Sequence, residues 1–166
     1  MGCGKSSVGR ELSQLLCCPF IDLDEAIEEA AGKSIPEIFS SDGEVAFRRL
    51  ETDVLREILK AVHKRQCAPL VVLALGGGTV MTPECAEMVR KNTRGIYLRA
   101  SVDTLLERLS SEISTRPLLC TQGGSLPLRS RIEELMLQRT STYENTAKII
   151  IDTDGKSIGQ ICSEII

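Results

Sequence analysis

Apolar positions along the chain follow two periods in turn. Val8, Leu12, Leu15 and Leu16 recur at the spacing of a helix, and Pro19-Phe20-Ile21 then reads as a short buried strand. A helical segment covers about 26–31 and stops at Gly32. Ser34-Ile35-Pro36-Glu37 has the form of a capping box with proline early in the helix. A longer helix starts near Gly43 and carries Phe47, Leu50, Val54, Ile58 and Val62 in one stripe. Residues 70–75 form a continuous apolar run closed by three glycines, the pattern of a strand buried on both faces. Thr82-Pro83 opens a further helix through Met88. Residues 95–99 read as a strand, and Val102, Leu105, Leu106 and Leu109 line the helix after it. Residues 110–127 are polar and aperiodic, as a long loop is. Leu128, Ile132, Leu135 and Arg139 mark one face of a helix, and 148–151 is a final strand before a C-terminal helix. Repeated strand–helix units predict one α/β domain over residues 1–166, a parallel sheet with helices on both sides.

Composition narrows the partners. The 166 residues suit a single core, and a net charge of −3 argues against nucleic acid held by bulk charge. Aromatic residues make up only 3%, without tryptophan, so no stacking platform for single strands is expected. The longest apolar run, 69–75, is too short for a bilayer, and no membrane partner or secretory signal is expected. Seven cysteines, an odd number without a C-x-x-C pair, fit neither a disulfide framework nor a zinc site. They read as reduced, mostly structural thiols, which points to the cytoplasm. His63, beside Lys64 and Arg65, reads as solvated.

Gly2-Cys3-Gly4-Lys5-Ser6-Ser7 matches the end of a G-x-x-x-x-G-K-[ST] signature and runs into a helix. Glycines let backbone N–H groups wrap a phosphate, and the helix dipole adds to that. In that signature Lys5 would reach the outer phosphates and the Ser6 hydroxyl would ligate Mg²⁺. The complete signature would place its first glycine ahead of Met1.

Three further groups carry chemistry. Asp22 and Asp24 follow a strand, where alternation along extended chain puts both on one side of the ligand-binding edge. One carboxylate then serves the metal and the other orients an attacking hydroxyl, with Asp24 as a helix cap the structural alternative. Gly76-Gly77-Gly78 carries an entropy cost that implies close approach to the backbone. Arg139 shares an apolar stripe and points inward, toward a ligand carboxylate or an internal salt bridge. Arg48 flanks Phe47, with Glu51 or Glu44 as alternative partners.

With these motifs in order, the chain resembles the shikimate kinases, small P-loop kinases, over its whole length. The resemblance rests on Met1-Gly2-Cys3-Gly4-Lys5-Ser6, Asp22-Leu23-Asp24, Asp42-Gly43-Glu44 with Phe47-Arg48 and Glu51, and Leu75-Gly76-Gly77-Gly78. It continues through Arg116-Pro117-Leu118-Leu119, Arg139 with Tyr143, and Ile151-Asp152-Thr153. It implies a three-layer α/β/α fold with strand order 2-3-1-4-5, the first strand missing from this chain. The activity implied is transfer of the ATP γ-phosphate to the 3-hydroxyl of shikimate, on the route to chorismate and aromatic amino acids.

For site residues, the resemblance implies that Asp24 contacts the substrate hydroxyls and acts as base. Arg48 and Arg139 hold the carboxylate, and Gly77, between Gly76 and Gly78, approaches the ring. Gly2, Cys3, Gly4, Lys5, Ser6 and Ser7 hold ATP, and Ser6 with Asp22 serves Mg²⁺. Residues 24–62 form the substrate-binding region and 110–126 a lid, whose Arg116 meets the transferring phosphate. Arg108 and Lys156 lie near the adenine. Ser141 departs from a family proline and is expected to loosen a turn after Arg139, while Ala74 replaces a common hydroxyl residue. The implied partners are shikimate and ATP or ADP, bound by a monomer.

Two other readings remain at this point: another small P-loop metabolite kinase, such as gluconate kinase, or a truncated inactive remnant. Without the first strand, each unpaired buried backbone group costs about 1–3 kcal/mol, against a net stability of about 5–15 kcal/mol. The expectation is therefore about ten further residues upstream, with an apolar strand and a glycine. Residues 1–166 alone are expected to fold poorly and to be nearly inactive.

Overall fold

In the computed structural model, which describes residues 3–64, 70–110 and 128–166, helix α1 (Lys5–Leu15) starts from Gly4. Gly4 has φ 81°, a left-handed value that glycine reaches at little cost. Strand β1 (Phe20–Asp22) lies against α1 at Gly9, where a Cβ would stand 2.5 Å from the Phe20 ring. Helix α2 (Leu23–Ala31) follows at once and ends at left-handed Gly32. Helix α3 (Ile35–Ser41) opens as its sequence predicts: the Glu37 carboxylate accepts from the Ser34 backbone N–H at 2.8 Å and hydroxyl at 2.6 Å.

Helix α4 (Gly43–Lys64) buries Phe47, Glu51, Leu55 and Leu59 along one line. The predicted stripe through Leu50, Val54, Ile58 and Val62 is instead its half-buried flank. Next come β2 (Val72–Ala74), a 3₁₀ turn (Thr79–Met81) and α5 (Pro83–Asn92), which has proline in its first turn. Strand β3 (Ile96–Arg99) and helix α6 (Val102–Ser110) precede α7 (Leu128–Thr146), β4 (Ile149–Asp152) and α8 (Ile158–Ile165). Helix α7 runs unbroken through Ser141, so the loosened turn expected after Arg139 does not form. Serine retains the backbone N–H that a proline would remove from the ladder.

β1 pairs in parallel with β2, from Phe20↔Val72 to Asp22↔Ala74. β3 pairs in parallel with β4, from Ile96↔Ile149 to Arg99↔Asp152. Among the described residues these are two separate two-stranded sheets. A cavity of about 570 Å³ lies between them, walled by Val72 and Leu73 of β2, Ile96 and Leu98 of β3, Leu12 of α1 and Ile132 of α7. Strand β2 accordingly departs from expectation. It is three residues long, and Val72 and Leu73 are only half-buried because one side of the strand faces that cavity.

The core divides around the cavity. One cluster packs Leu23, Ile27, Ile38, Phe47, Leu55 and Val89 from α2 to α5. Another joins α1 to β3, β4 and α8 through Val8, Leu12, Leu98, Ile151 and Ile161. A third, with Leu105, Leu109 and Ile132, packs α6 on α7. Cys85 and Cys162 are buried as structural thiols, but Cys17 is exposed; Cys67 and Cys120 lie outside the described residues. No helix among the described residues is long and apolar enough to cross a membrane.

Candidate active site

The start of α1 and the C-terminal ends of β1 and β2 meet at one sheet edge. The α1 N-terminus has no side-chain cap and no acidic residue in its first turn. Its free N–H groups and its dipole therefore favour an anion. The Ser6 hydroxyl donates to Asp22 Oδ2 at 2.9 Å. One hydroxyl and one carboxylate side by side are hard oxygen donors that fit Mg²⁺, which keeps most of its shell for water and phosphate. Gly2 lies outside the described residues, and Cys3, Gly4, Lys5 and Ser7 stand at this end of α1.

The two aspartates adopt different backbone. Asp22 is extended and caps α2, its Oδ1 accepting from the Asp24 N–H at 3.1 Å. Asp24 is already helical, so strand alternation does not place it, and the cap is Asp22 rather than Asp24. Helical turn instead carries the Asp24 carboxylate across to the end of β2, where a Cβ on Gly76 would come within 2.7 Å of Oδ1. Burial, and then the Asp22 charge, raise the Asp24 pKa above its usual carboxylate range, with Lys5 opposing them. A carboxylate shifted upward is a better proton acceptor.

Glu51 was visible in the sequence as a motif position and an alternative partner for Arg48, without a role in the site of its own. Buried on α4, it accepts from Arg48 Nη1 at 2.7 Å and from the Thr79 hydroxyl at 2.7 Å. Glu44 lies 3.6 Å from Arg48 Nε, and the guanidinium sits 5.1 Å from the centre of the Phe47 ring. Both structural partners of Arg48 are therefore real, and they aim it at the glycine run: a Cβ on Gly78 would lie 2.6 Å from Nη2. From the opposite side, Arg139 Nη1 donates to the Gly77 carbonyl at 3.2 Å. Among the described residues Arg139 has no carboxylate partner, so the internal salt bridge weighed from sequence is absent.

The glycine run thus gathers the site. Asp24 and Arg48 take up the space that Cβ atoms on Gly76 and Gly78 would need, and Arg139 reaches the carbonyl of Gly77 between them. The signal for Glu51 and Thr79 was present in part. Glu51 stands on the spacing of Phe47, Leu55 and Leu59, a charged residue on a buried line, whereas nothing in the sequence marked Thr79.

Elsewhere, Arg108 Nη2 donates to the Thr153 carbonyl at 3.5 Å beside the loop after β4. Lys156 shares that loop, but its ammonium pairs with Glu164 at 2.7 Å. Arg116 and the expected lid lie outside the described residues, apart from Ser110 at the end of α6.

A helix start that favours an anion, beside a glycine run approached by one carboxylate and two guanidiniums, matches the class of P-loop metabolite kinases built on a parallel α/β fold. A sequence model of the family described as shikimate kinase matches residues 1–166. The shikimate kinase of Thermus thermophilus is 40% identical over 166 residues, 100% of this chain and 84% of that protein. That of Thioalkalivibrio sulfidiphilus is 39% identical over 165 residues, 99% of this chain and 80% of its relative. Among solved structures, the shikimate kinase of Acinetobacter baumannii in complex with shikimate superposes with a TM-score of 0.85 at 33% identity, covering 99% of this chain and 86% of that one. The Aquifex aeolicus shikimate kinase gives 0.76 at 30% identity, covering 99% and 88%. The chain belongs to the shikimate kinase family, and its chemistry is ATP-dependent phosphoryl transfer to an alcohol acceptor.

Proposed function

We propose that this chain phosphorylates the 3-hydroxyl of shikimate, consuming ATP and releasing ADP and shikimate 3-phosphate. The observation that carries the reading is the convergence of Asp24, Arg48 and Arg139 on three successive glycines. Two guanidiniums grip a carboxylate with directed, charge-assisted hydrogen bonds, which fixes the ring. Asp24 then faces the hydroxyls and takes the proton of the one that attacks the γ-phosphorus. The bridging oxygen leaves with ADP, and Lys5 with the α1 N-terminus steadies the charge that develops on the phosphates. Ser6 and Asp22 would hold Mg²⁺, which when bound neutralises charge on the β- and γ-phosphates.

The same reading gives Arg116, on a closing segment at 110–126, the stabilisation of the transferring phosphate. It puts Arg108 and Lys156 beside the adenine, with Lys156 released from Glu164. It also has the protein act as a cytoplasmic monomer.

A coupled ADP-release assay with shikimate, gluconate and other small hydroxy acids tests the substrate. Turnover should require shikimate. Arg139→Ala should raise the shikimate KM about 10–100-fold, the loss of one or two charged hydrogen bonds. An unchanged shikimate KM would remove Arg139 from the carboxylate clamp.

A further inference from the structure

Tyr143 belongs to a motif of this chain that the reaction leaves without a role. Because α7 continues through Ser141, Tyr143 stands one turn beyond Arg139 on the same helix face. Both side chains reach one atom: the Gly77 carbonyl accepts from the Tyr143 hydroxyl at 2.5 Å and from Arg139 Nη1 at 3.2 Å. The neighbouring carbonyls are engaged inside the turn, Gly76 O by the Thr79 N–H and Gly78 O by the Met81 N–H. The Tyr143 ring is itself fixed against Tyr97 of β3, with centroids 5.1 Å apart. The phenol is therefore the shorter donor, braced by a ring contact, and the guanidinium the longer one.

That difference matters when an anion arrives. An arginine that is the sole partner of a carbonyl leaves it unsatisfied on turning to another acceptor, and the lost hydrogen bond opposes binding. We infer that Tyr143 is a positioning residue: its hydroxyl is the standing donor to Gly77 O, and this frees Arg139 for the carboxylate of the substrate. The inference rests on the reading of Arg139 as a carboxylate ligand, and its test separates the two.

The test is a double-mutant cycle on the full chain with Tyr143→Phe and Arg139→Ala. Shikimate KM and kcat are read by ADP release, shikimate Kd by titration calorimetry, and folding by thermal melting. Tyr143→Phe keeps the ring against Tyr97, removes only the donor, and should weaken shikimate binding about tenfold with ATP KM and kcat nearly unchanged. In the Arg139→Ala background the same change should have less than about a twofold effect, because the arginine it serves is gone. Tyr97→Phe, which keeps the ring contact and the Gly77 bond, should leave shikimate affinity as it was. Equal losses in both backgrounds, or no loss in the first, would overturn the role given to Tyr143. If Arg139→Ala alone leaves shikimate binding intact, the clamp itself is wrong and the inference falls with it. Should Tyr143→Phe not fold, 3-fluorotyrosine placed at 143 supplies a more acidic donor. It should tighten shikimate binding, and unchanged binding would count against the role.

Discussion

Asp24 carries a largely buried carboxylate beside that of Asp22. Its acid titrates at about 3.8 when unperturbed, and burial with the Asp22 charge raises that value in the folded protein. Between the two values the folded state holds more protons than the unfolded one. Stability therefore falls as pH rises from about 3.8 through the folded value, and the deficit persists at neutral pH. Asp24→Asn removes the charge at nearly constant shape and should raise the melting temperature at pH 7. The gain should vanish below the unfolded pKa, where the acid is neutral in both states. Turnover should fall about 10²–10⁴-fold with loss of the base. Calorimetry across pH with parallel assays checks both parts, and equal melting at pH 7 would refute the raised pKa. Glu51 contrasts with it, since a buried carboxylate held by Arg48 and Thr79 is a satisfied group.

At the level of elements, the glycine run is where sequence and structure meet most informatively. Three glycines after an apolar run promised a close approach, and the approach comes from the chain's own Asp24 and Arg48. Gly78 has φ −104°, so alanine fits the backbone there and only the guanidinium stands in its way. Gly78→Ala should leave the fold standing and push Arg48 aside, raising the shikimate KM about 10–100-fold, as misplacement of a binding group does. Unchanged KM would mean that Arg48 does not need its present pose. Helix ends were readable because they depend on neighbours in sequence: Ser34 with Glu37, Gly32 after α2, Pro83 in α5. The β1–α2 boundary was not. Asp22 leaves the strand by capping a helix through Asp24, and period-2 alternation carries no signal of where extended backbone ends.

At the scale of the molecule, two parallel pairs of strands face each other across about 570 Å³ lined largely by aliphatic side chains. Apolar walls without a filling lose both dispersion contacts and burial. Fusing an apolar, β-branched strand and a short glycine loop ahead of Met1 should fill that space. Each buried aliphatic side chain contributes about 1.5–3 kcal/mol, and each kcal/mol about 2–4 °C, so a rise of about 10 °C or more is expected. A version with proline at its centre should gain far less, because it cannot complete the ladder. Equal melting of all three proteins, measured by calorimetry, would show that the cavity does not take a strand. The sequence by itself determined the alternation of strands and helices, the helix start at Gly4-Lys5 and the glycine run after an apolar stretch, since period, caps and glycine spacing are local properties. Only the tertiary structure decided which partners those residues take. Asp24 against Gly76, Arg48 against Gly78, Thr79 on Glu51, and Arg139 with Tyr143 on Gly77 O join positions far apart in the chain, and packing alone brings them together.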